Sequence, residues 1–459
     1  MLRKRLAAAV FAALVVLAPA AGARAQGAAQ IAALAAASEG RPQEALALAR
    51  ALLLETPGDA FAHYVIGTVM LWQGQSAEAM QAGARAFHAA GSKVQRHESA
   101  RLVASAAMQA EKPLLARYWL RHAASTAPDA QRRAGAERAL AQLRAATPWS
   151  AGLRFGIQPS SNVNAGASSR LNVIEGVPLV GVLSDAALAL PGLVGTLEAR
   201  LGYRLRADAD SQTELSARLY LRAVELSGTP TTTTMGPSGA MVETEIANSS
   251  LAAGSAELGL RHSFAASGNA RIGLDLGLGR AWSAGAFAYD YLRLGADRGP
   301  VAAGVFYGAG WEWRSAADPR RDQTIATLRG GWRGAFANGD RLVLSLGLRH
   351  VASESVNARG SSASAELSYQ PARQFGPAAV TANFGLSYAD YPDYTLGFLA
   401  VPGGRQETLG FAELELWLPD KSYAGFSPQI KLRALETRSN VSSFARRELS
   451  LSIGFRSNF

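Results

Sequence analysis

Six histidines and no cysteine limit the chemistry open to this chain of 459 residues. His63, His88, His97 and His122 fall at spacings that match no metal-ligand set, and without thiolates no sulfur-held metal or disulfide framework can form. His97 precedes Glu98, but no second histidine stands four residues on, so the H-E-x-x-H zinc helix is missing. His262 beside Ser263, and His350, are the places where a hydrolytic pair would have to form. The strained G-x-S-x-G turn that exposes a nucleophilic serine occurs nowhere. No nucleotide-binding loop is present either. The chain is therefore read as a non-enzyme, with no catalytic, cofactor-binding or metal-binding residues.

The chemistry that does recur is charge at every second position. In GTLEARLGYRLR, Leu197, Ala199, Leu201, Tyr203 and Leu205 alternate with Glu198, Arg200, Gly202, Arg204 and Arg206. TELSARLYLRA sets Leu215, Ala217, Leu219 and Leu221 against Glu214, Arg218 and Arg222. A period of two belongs to a strand with two different environments on its faces. Arg200, Arg204, Arg206, Arg218 and Arg222, opposed by Glu198 and Glu214, are expected to form one charged wall. They would satisfy one another across strands. The formal charge is +10. Four of the basic residues, Arg3, Lys4, Arg5 and Arg24, lie in the first 25 positions, which hold no acid, so the rest carries about +6. No dense basic stripe stands out, which argues against a nucleic-acid partner.

The elements that position this wall come in two grammars. Arg3, Lys4 and Arg5, the apolar run Leu6–Leu17, and Ala23-Arg24-Ala25 before Gln26 read as a secretory signal peptide over residues 1–25. Residues 27–148 have helical composition, rich in Ala, Leu, Arg and Gln. They also repeat: GRPQEALALA and GQSAEAMQAG place Gly40 and Gly74, and likewise Ala45 and Ala79, 34 residues apart. EKPLLARYWLRHA is a third copy after 37 residues, with Ala116 in the place of Ala79. A period of 34 resembles the tetratricopeptide helix-turn-helix. Small residues such as Ala45, Ala79 and Gly67 let paired helices approach closely, and Asp129–Ala146 would cap the stack. Its concave groove is expected to present Phe61, Tyr64, Leu71 and Trp72, then Glu98, Arg101, Met108 and Gln109. Tyr64, Trp72, Arg101 and Gln109 are the candidates for binding a partner protein; filling the space between repeats is the other role open to Tyr64 and Trp72.

From Trp149 the alternation takes over. Further strands are RIGLDLGLGRAW, RLVLSLGLRH and AELELWLP. Short turns at Ala207–Gln212, Ala266–Asn269, Ala296–Pro300, Phe336–Asp340, Pro371–Pro377 and Pro419–Ala424 interleave with connections that are longer or more polar. The latter are Ser160–Pro191, Ser227–Ser249, Ser283–Phe287, Ser315–Asp322, Glu354–Ser361, Ala389–Arg405 and Arg438–Phe444. Thirteen connections separate fourteen strands. That two-ended asymmetry and even count predict an antiparallel outer-membrane barrel of about 14 strands over 149–459, facing the lipid bilayer with its leucines. Trp282, Trp332, Trp417, Tyr369 and Tyr388 would form interfacial girdles. The expected fold class is thus α + transmembrane β, with the helical unit in the periplasm. The chain stops on RRELSLSIGFRSNF. Leu451, Ile453, Phe455 and the terminal Phe459 look like the signal read by the barrel assembly machinery.

Two segments carry a family resemblance. QPSSNVNAGASS follows the first barrel strand, and PQIKLRALETRSNVSSFARRELSLSIGF ends the chain. With the repeats and the strand count they resemble the surface lipoprotein assembly modulator family. The most specific matches are Ser161-Asn162-Val163 and Ser439-Asn440-Val441. The resemblance implies a translocator that delivers a client surface lipoprotein or secreted protein to the cell surface. The helical repeats would engage the client or a periplasmic chaperone. A polysaccharide-export barrel and a solute porin with a protein-binding helical domain are the alternatives. Whether the long segment from Asn162 to Leu190 plugs the barrel or lies outside it is left open by the residues alone.

Overall fold

The computed structural model describes residues 21–178, 180–235, 240–421 and 426–457. Residues 1–20 of the expected signal segment lie outside the described residues, as does Phe459. The chain divides into two compact units, Met1–Thr147 and Pro148–Phe459.

The first unit holds α1 (Ala21–Ser38), α2 (Pro42–Glu55), α3 (Ala60–Trp72), α4 (Ser76–Ala89), α5 (Lys93–Gln109), α6 (Pro113–Thr126) and α7 (Ala130–Ala146). Successive helices pack as three hairpins, α1 on α2, α3 on α4 and α5 on α6, and α7 packs on α6. Each hairpin reverses through one residue in the left-handed region: Gly40 (φ 74°), Gly74 (φ 80°) and Glu111 (φ 57°). The starts are marked in sequence. Pro42 and Pro113 occupy first-turn positions where no amide is needed, and Asp59 and Asp129 accept from the amides of Ala62 and Arg132. Ser92 and Gln95 form a reciprocal capping box. A Cβ on Gly67 would sit 2.9 Å from Leu102 Cδ2 and 3.3 Å from the Ala79 carbonyl, so α3 meets α4 and α5 at a spacing that only glycine allows. Ala33, Ala36, Ala45 and Ala49 bury completely with Val65 and Val69, and a second core gathers Ala100, Val103, Trp119 and Ala123.

The second unit comprises β1 (Trp149–Ser160), β2 (Leu171–Val173), β3 (Val180–Val182), β4 (Gly192–Ala207), β5 (Ser211–Leu226), β6 (Thr231–Met235), β7 (Met241–Glu245), β8 (Ala253–Ala266), β9 (Ala270–Ser283), β10 (Ala286–Pro300), β11 (Gly304–Ala316), β12 (Gln323–Ala335), β13 (Arg341–Ser353), β14 (Gly360–Gln370), β15 (Ala379–Tyr391), β16 (Thr395–Leu396), β17 (Leu399–Ala400), β18 (Arg405–Trp417), β19 (Phe426–Ser439) and β20 (Arg446–Ser457). Fourteen of them close into one antiparallel barrel in the order β1-β20-β19-β18-β15-β14-β13-β12-β11-β10-β9-β8-β5-β4. The other six pair as small hairpins, β2 with β3, β6 with β7 and β16 with β17, inside connections at one end. The fold is therefore α plus a closed fourteen-stranded barrel, as the alternation predicts.

Register fixes the faces. Leu258 pairs with Leu278, Leu328 with Leu348, and Ile430 with Ile453, so the apolar residues of neighbouring strands share one side. That side is the outside. Leu258, Leu278, Leu328, Leu346, Leu348 and Leu386 are each more than half exposed. Leaving one leucine in water forfeits about 2 kcal/mol. A continuous belt of them needs hydrocarbon around it. Barrel strands of 11 to 16 residues exceed the roughly 10 that a tilted span requires.

Three details differ from the sequence reading. The turn expected at Ala296–Pro300 is strand: β10 runs on to Pro300, which pairs with Ala270. A bulge between Arg204 and Arg206 sets Arg206 opposite Thr213, taking it out of the inward row, and it pairs instead with Asp208 at 3.4 Å. Trp417 alternates with the outward Leu414 and Leu416, so it lies on the lumen side with Glu413 and Glu415 and is no girdle residue. Trp332 and Tyr388 do face outward and are well exposed.

Candidate functional site

The inner face of the barrel is where the charge gathers. On β1 and β4, Arg154 reaches Glu198 at 3.1 Å, and Arg200 reaches Glu214 of β5 at 3.8 Å. Arg204 stands opposite Glu214 in the ladder. Glu198 therefore serves the first strand rather than the arginines of its own. Arg222 sits high on the wall and donates to the carbonyls of Val163, at 2.6 Å, and Leu251. It fastens two long connections to the rim. Arg218 has no carboxylate partner among the described residues and lines an inner cavity with Arg200.

The densest part of the wall escaped the sequence reading. On β8–β11, Arg261 lies between Asp275 and Asp297, reaching Asp297 at 2.9 Å. Arg293 donates to Glu257 at 2.7 Å, which also accepts from the Tyr291 hydroxyl at 3.2 Å. Arg314 and Glu312 pair at 2.6 Å along β11. Glycines make room for these long side chains to lie flat. A Cβ on Gly273 would stand 2.2 Å from an Arg261 nitrogen, and one on Gly279 2.3 Å from the Tyr291 ring. The signal was available: RIGLDLGLGRAW carries inward glycines at 273, 277 and 279, beside strands that carry charges at the matching positions. Across the barrel, Lys431 lies 3.7 Å from Glu413 and 3.1 Å from Glu415, and Arg433 lies 3.9 Å from Glu413. Many of these inward side chains keep a third to a half of their surface accessible, so the lumen admits water.

At the end with the longer connections, both Ser-Asn-Val segments are corners. Asn162 is buried and closes a loop on Gly166, accepting from its amide and donating to its carbonyl, both at 2.8 Å. Asn440 accepts from Gln406 N at 2.8 Å and donates to Gly404 O at 2.7 Å. The two neighbourhoods meet. Ile174 and Val441 form an isolated antiparallel bridge, Ser168 N donates to Ala445 O at 3.0 Å, and Val441 is fully buried with Ile174, Tyr394 and Val401. Arg405 stacks on Tyr391, Tyr394 and Phe444 with its guanidinium 3.8, 4.6 and 4.0 Å from their centres. The connection after β1 thus ties the rim together. Its ends, Val163 and Leu190, pack on the inward-facing Val194, Val224 and Leu226 at the mouth, and among the described residues none of the connection lines the cavities of the arginine wall.

In the helical unit the four expected binding residues divide. Tyr64 is buried against Ala86 and Leu102, and burial, with Glu98 nearby, pushes its hydroxyl up to about 12; it packs between helices and offers no surface. Trp72 is exposed. Arg101 pairs with Glu98 at 3.3 Å, and Gln109 accepts from Ser76 at 3.0 Å. Of the barrel histidines, His262 does not pair with the neighbouring Ser263, and His350 meets a serine of the next strand. His262 bonds Thr213 at 2.9 Å, with Ser263 on the opposite face, and His350 bonds Ser361 at 2.9 Å on the outer face. Leu451, Ile453 and Phe455 lie on the outer face of β20, and Phe455 stacks on Phe155 with centroids 5.3 Å apart across the closing seam.

No protein-family profile matches the chain, and no curated protein does. Among solved structures, the tetratricopeptide domain of Arabidopsis OM64 matches at 16% identity and a TM-score of 0.24, over 27% of this chain and 97% of that one. A bacterial polysaccharide outer membrane secretin matches at 11% identity and 0.35, over 67% and 98%. Pseudomonas putida OprB matches at 10% identity and 0.36, over 70% and 96%. Likeness at this level concerns fold and says nothing of cargo.

Proposed function

We propose that this protein is an outer-membrane translocator that carries a client lipoprotein or secreted protein from the periplasm to the cell surface, and that it is not an enzyme. The observation that carries the reading is the union, in one chain, of a water-accessible barrel lumen with a stack of three helical hairpins. Helical-hairpin stacks offer extended surfaces to peptides and partner proteins. A barrel that only passed solutes would have no use for one. β1 begins at the end of the barrel that carries the tight turns, where Trp149 pairs with Tyr203, so the residues before it enter on that side of the membrane. Short turns face the periplasm in bacterial barrels, which supports periplasmic placement of the helices. There the repeats would receive the client or its chaperone. The resemblance of the two Ser-Asn-Val segments to the surface lipoprotein assembly modulators points to the same activity. With no nucleotide in the periplasm, capture or folding of the client outside would make its return unfavourable.

Protease shaving of intact cells tests this. Cells with and without the gene should differ in one or a few surface proteins, each of which stays in the periplasm when the gene is lost. An unchanged surface proteome refutes the proposal. A change confined to surface polysaccharide would point to sugar export instead.

A further inference from the structure

We infer that the lumen wall built by β5 and β8–β13 is a binding track for acidic polypeptide segments. Two cavities, about 530 and about 590 Å3, adjoin along this wall and share Arg261, Asp297 and Arg329. Together they are lined by nine inward-facing arginines, and by Arg298 of the outward row at the rim, against four carboxylates. The carboxylates are all engaged: Asp275 and Asp297 with Arg261, Glu257 with Arg293, and Glu312 with Arg314. Among the described residues, Arg218, Arg329 and Arg349 have no acidic partner. Arg271 and Arg333 donate to main-chain carbonyls of Ser263 and Pro300, which leaves their charge uncompensated; Arg298, opposite Ile272 on the outward row, bonds Ser267 instead. The surplus is one-sided. Across the lumen, Lys431 and Arg433 are matched by Glu413 and Glu415.

A strip with a net positive charge inside a low-dielectric wall focuses its field into the lumen and concentrates counter-ions there. Guanidinium forks suit carboxylates, which they can bind in bidentate fashion. The second cavity reaches the tight-turn end of the barrel, at Pro300, Val301 and Arg333. An acidic stretch entering from that side meets Arg333 and Arg271 first and Arg329 and Arg349 further in. The strip is too long for a single small anion and matches an extended chain with repeated carboxylates. This inference takes the kind of passenger, a polypeptide, from the translocator proposal. The charge asymmetry stands without it.

The test uses the purified full chain in detergent with fluorescein-labelled poly-L-glutamate as the probe, read by fluorescence anisotropy. Poly-glutamate should bind at low salt, weaken steeply as salt rises, and outcompete poly-L-lysine. The triple variant Arg218→Gln, Arg329→Gln, Arg349→Gln should weaken binding at least tenfold while still shifting between folded and heat-denatured forms on gels. Arg438→Gln with Arg447→Gln, on the outer face, should leave binding unchanged. Equal binding by the lumen variant, or competition by inorganic phosphate alone, overturns the inference. Client display by a protein that does not bind poly-glutamate sinks the track and leaves the translocator. Poly-glutamate binding without any client sinks the translocator and leaves the track.

Discussion

Glu111 occupies a backbone position that opposes its side chain. Gly40 and Gly74 turn the first two hairpins with positive φ, and Glu111 makes the same turn in the third at φ 57°. An L-residue with a Cβ pays roughly 1 kcal/mol for that region, which glycine does not. Glu111→Gly should therefore raise the opening free energy of α5 and α6 by about 1 kcal/mol, read by hydrogen exchange of their amides in the full chain. A lower protection would show that the Glu111 side chain holds the turn by a contact worth more than the strain. The position is also a lesson in what single residues reveal. The period of 34 was legible because it rests on small residues where helices touch, and Gly67 meets Leu102 and the Ala79 backbone as that logic requires. Tyr64 was ambiguous because an aromatic on a helix serves a groove and a core equally well. Only the position of α5 decides that its ring is covered.

At the scale of elements, strand parity was the most readable feature. It placed the outward leucines, the inward Arg200 and Arg218, and the even number of strands. It also contained the direction of Trp417, whose neighbours Leu416 and Leu418 share the outer parity; aromatic character suggested a girdle, but parity sets the face. What parity cannot give is register, because pairing partners depend on turn lengths and bulges. Hence the Arg261–Asp297 and Arg293–Glu257 pairs, two strands apart, were invisible, and the bulge at Leu205 misplaced Arg206. The connection after β1 is an element of its own. Its bridge from Ile174 to Val441 fastens it beside the β19–β20 turn. Antiparallel bridge partners stand at Cα separations that a disulfide can span. The chain has no native cysteine, so Ile174→Cys with Val441→Cys gives one unambiguous cross-link. If the passenger leaves through this mouth, the oxidised variant should lose client display and regain it on reduction. Display that is indifferent to oxidation would place the exit elsewhere or show that this rim never opens.

The whole molecule joins two units whose sequence grammars change within a few residues of Trp149, and the compact units divide at Thr147 and Pro148. Each has its own core: the alanine-rich clusters belong to the helices, and the barrel is held by its closed hydrogen-bonded ladder and by lipid. The helical cores and the barrel ladder are each built within one unit, so removal of one should leave the other folded. A chain with residues 1–26 kept and residues 27–148 deleted should still insert, still shift on heating in gels, and still admit salt current as the full chain does. Its client should stay in the periplasm, with surface display down by at least tenfold. Residues 27–148 supplied in the periplasm from a second gene should restore little of that display, because tethering holds the receptor at an effective concentration near the millimolar range beside its own barrel. Full display by the truncated barrel would mean that the lumen selects its passenger unaided. The helical stack would then need a different explanation.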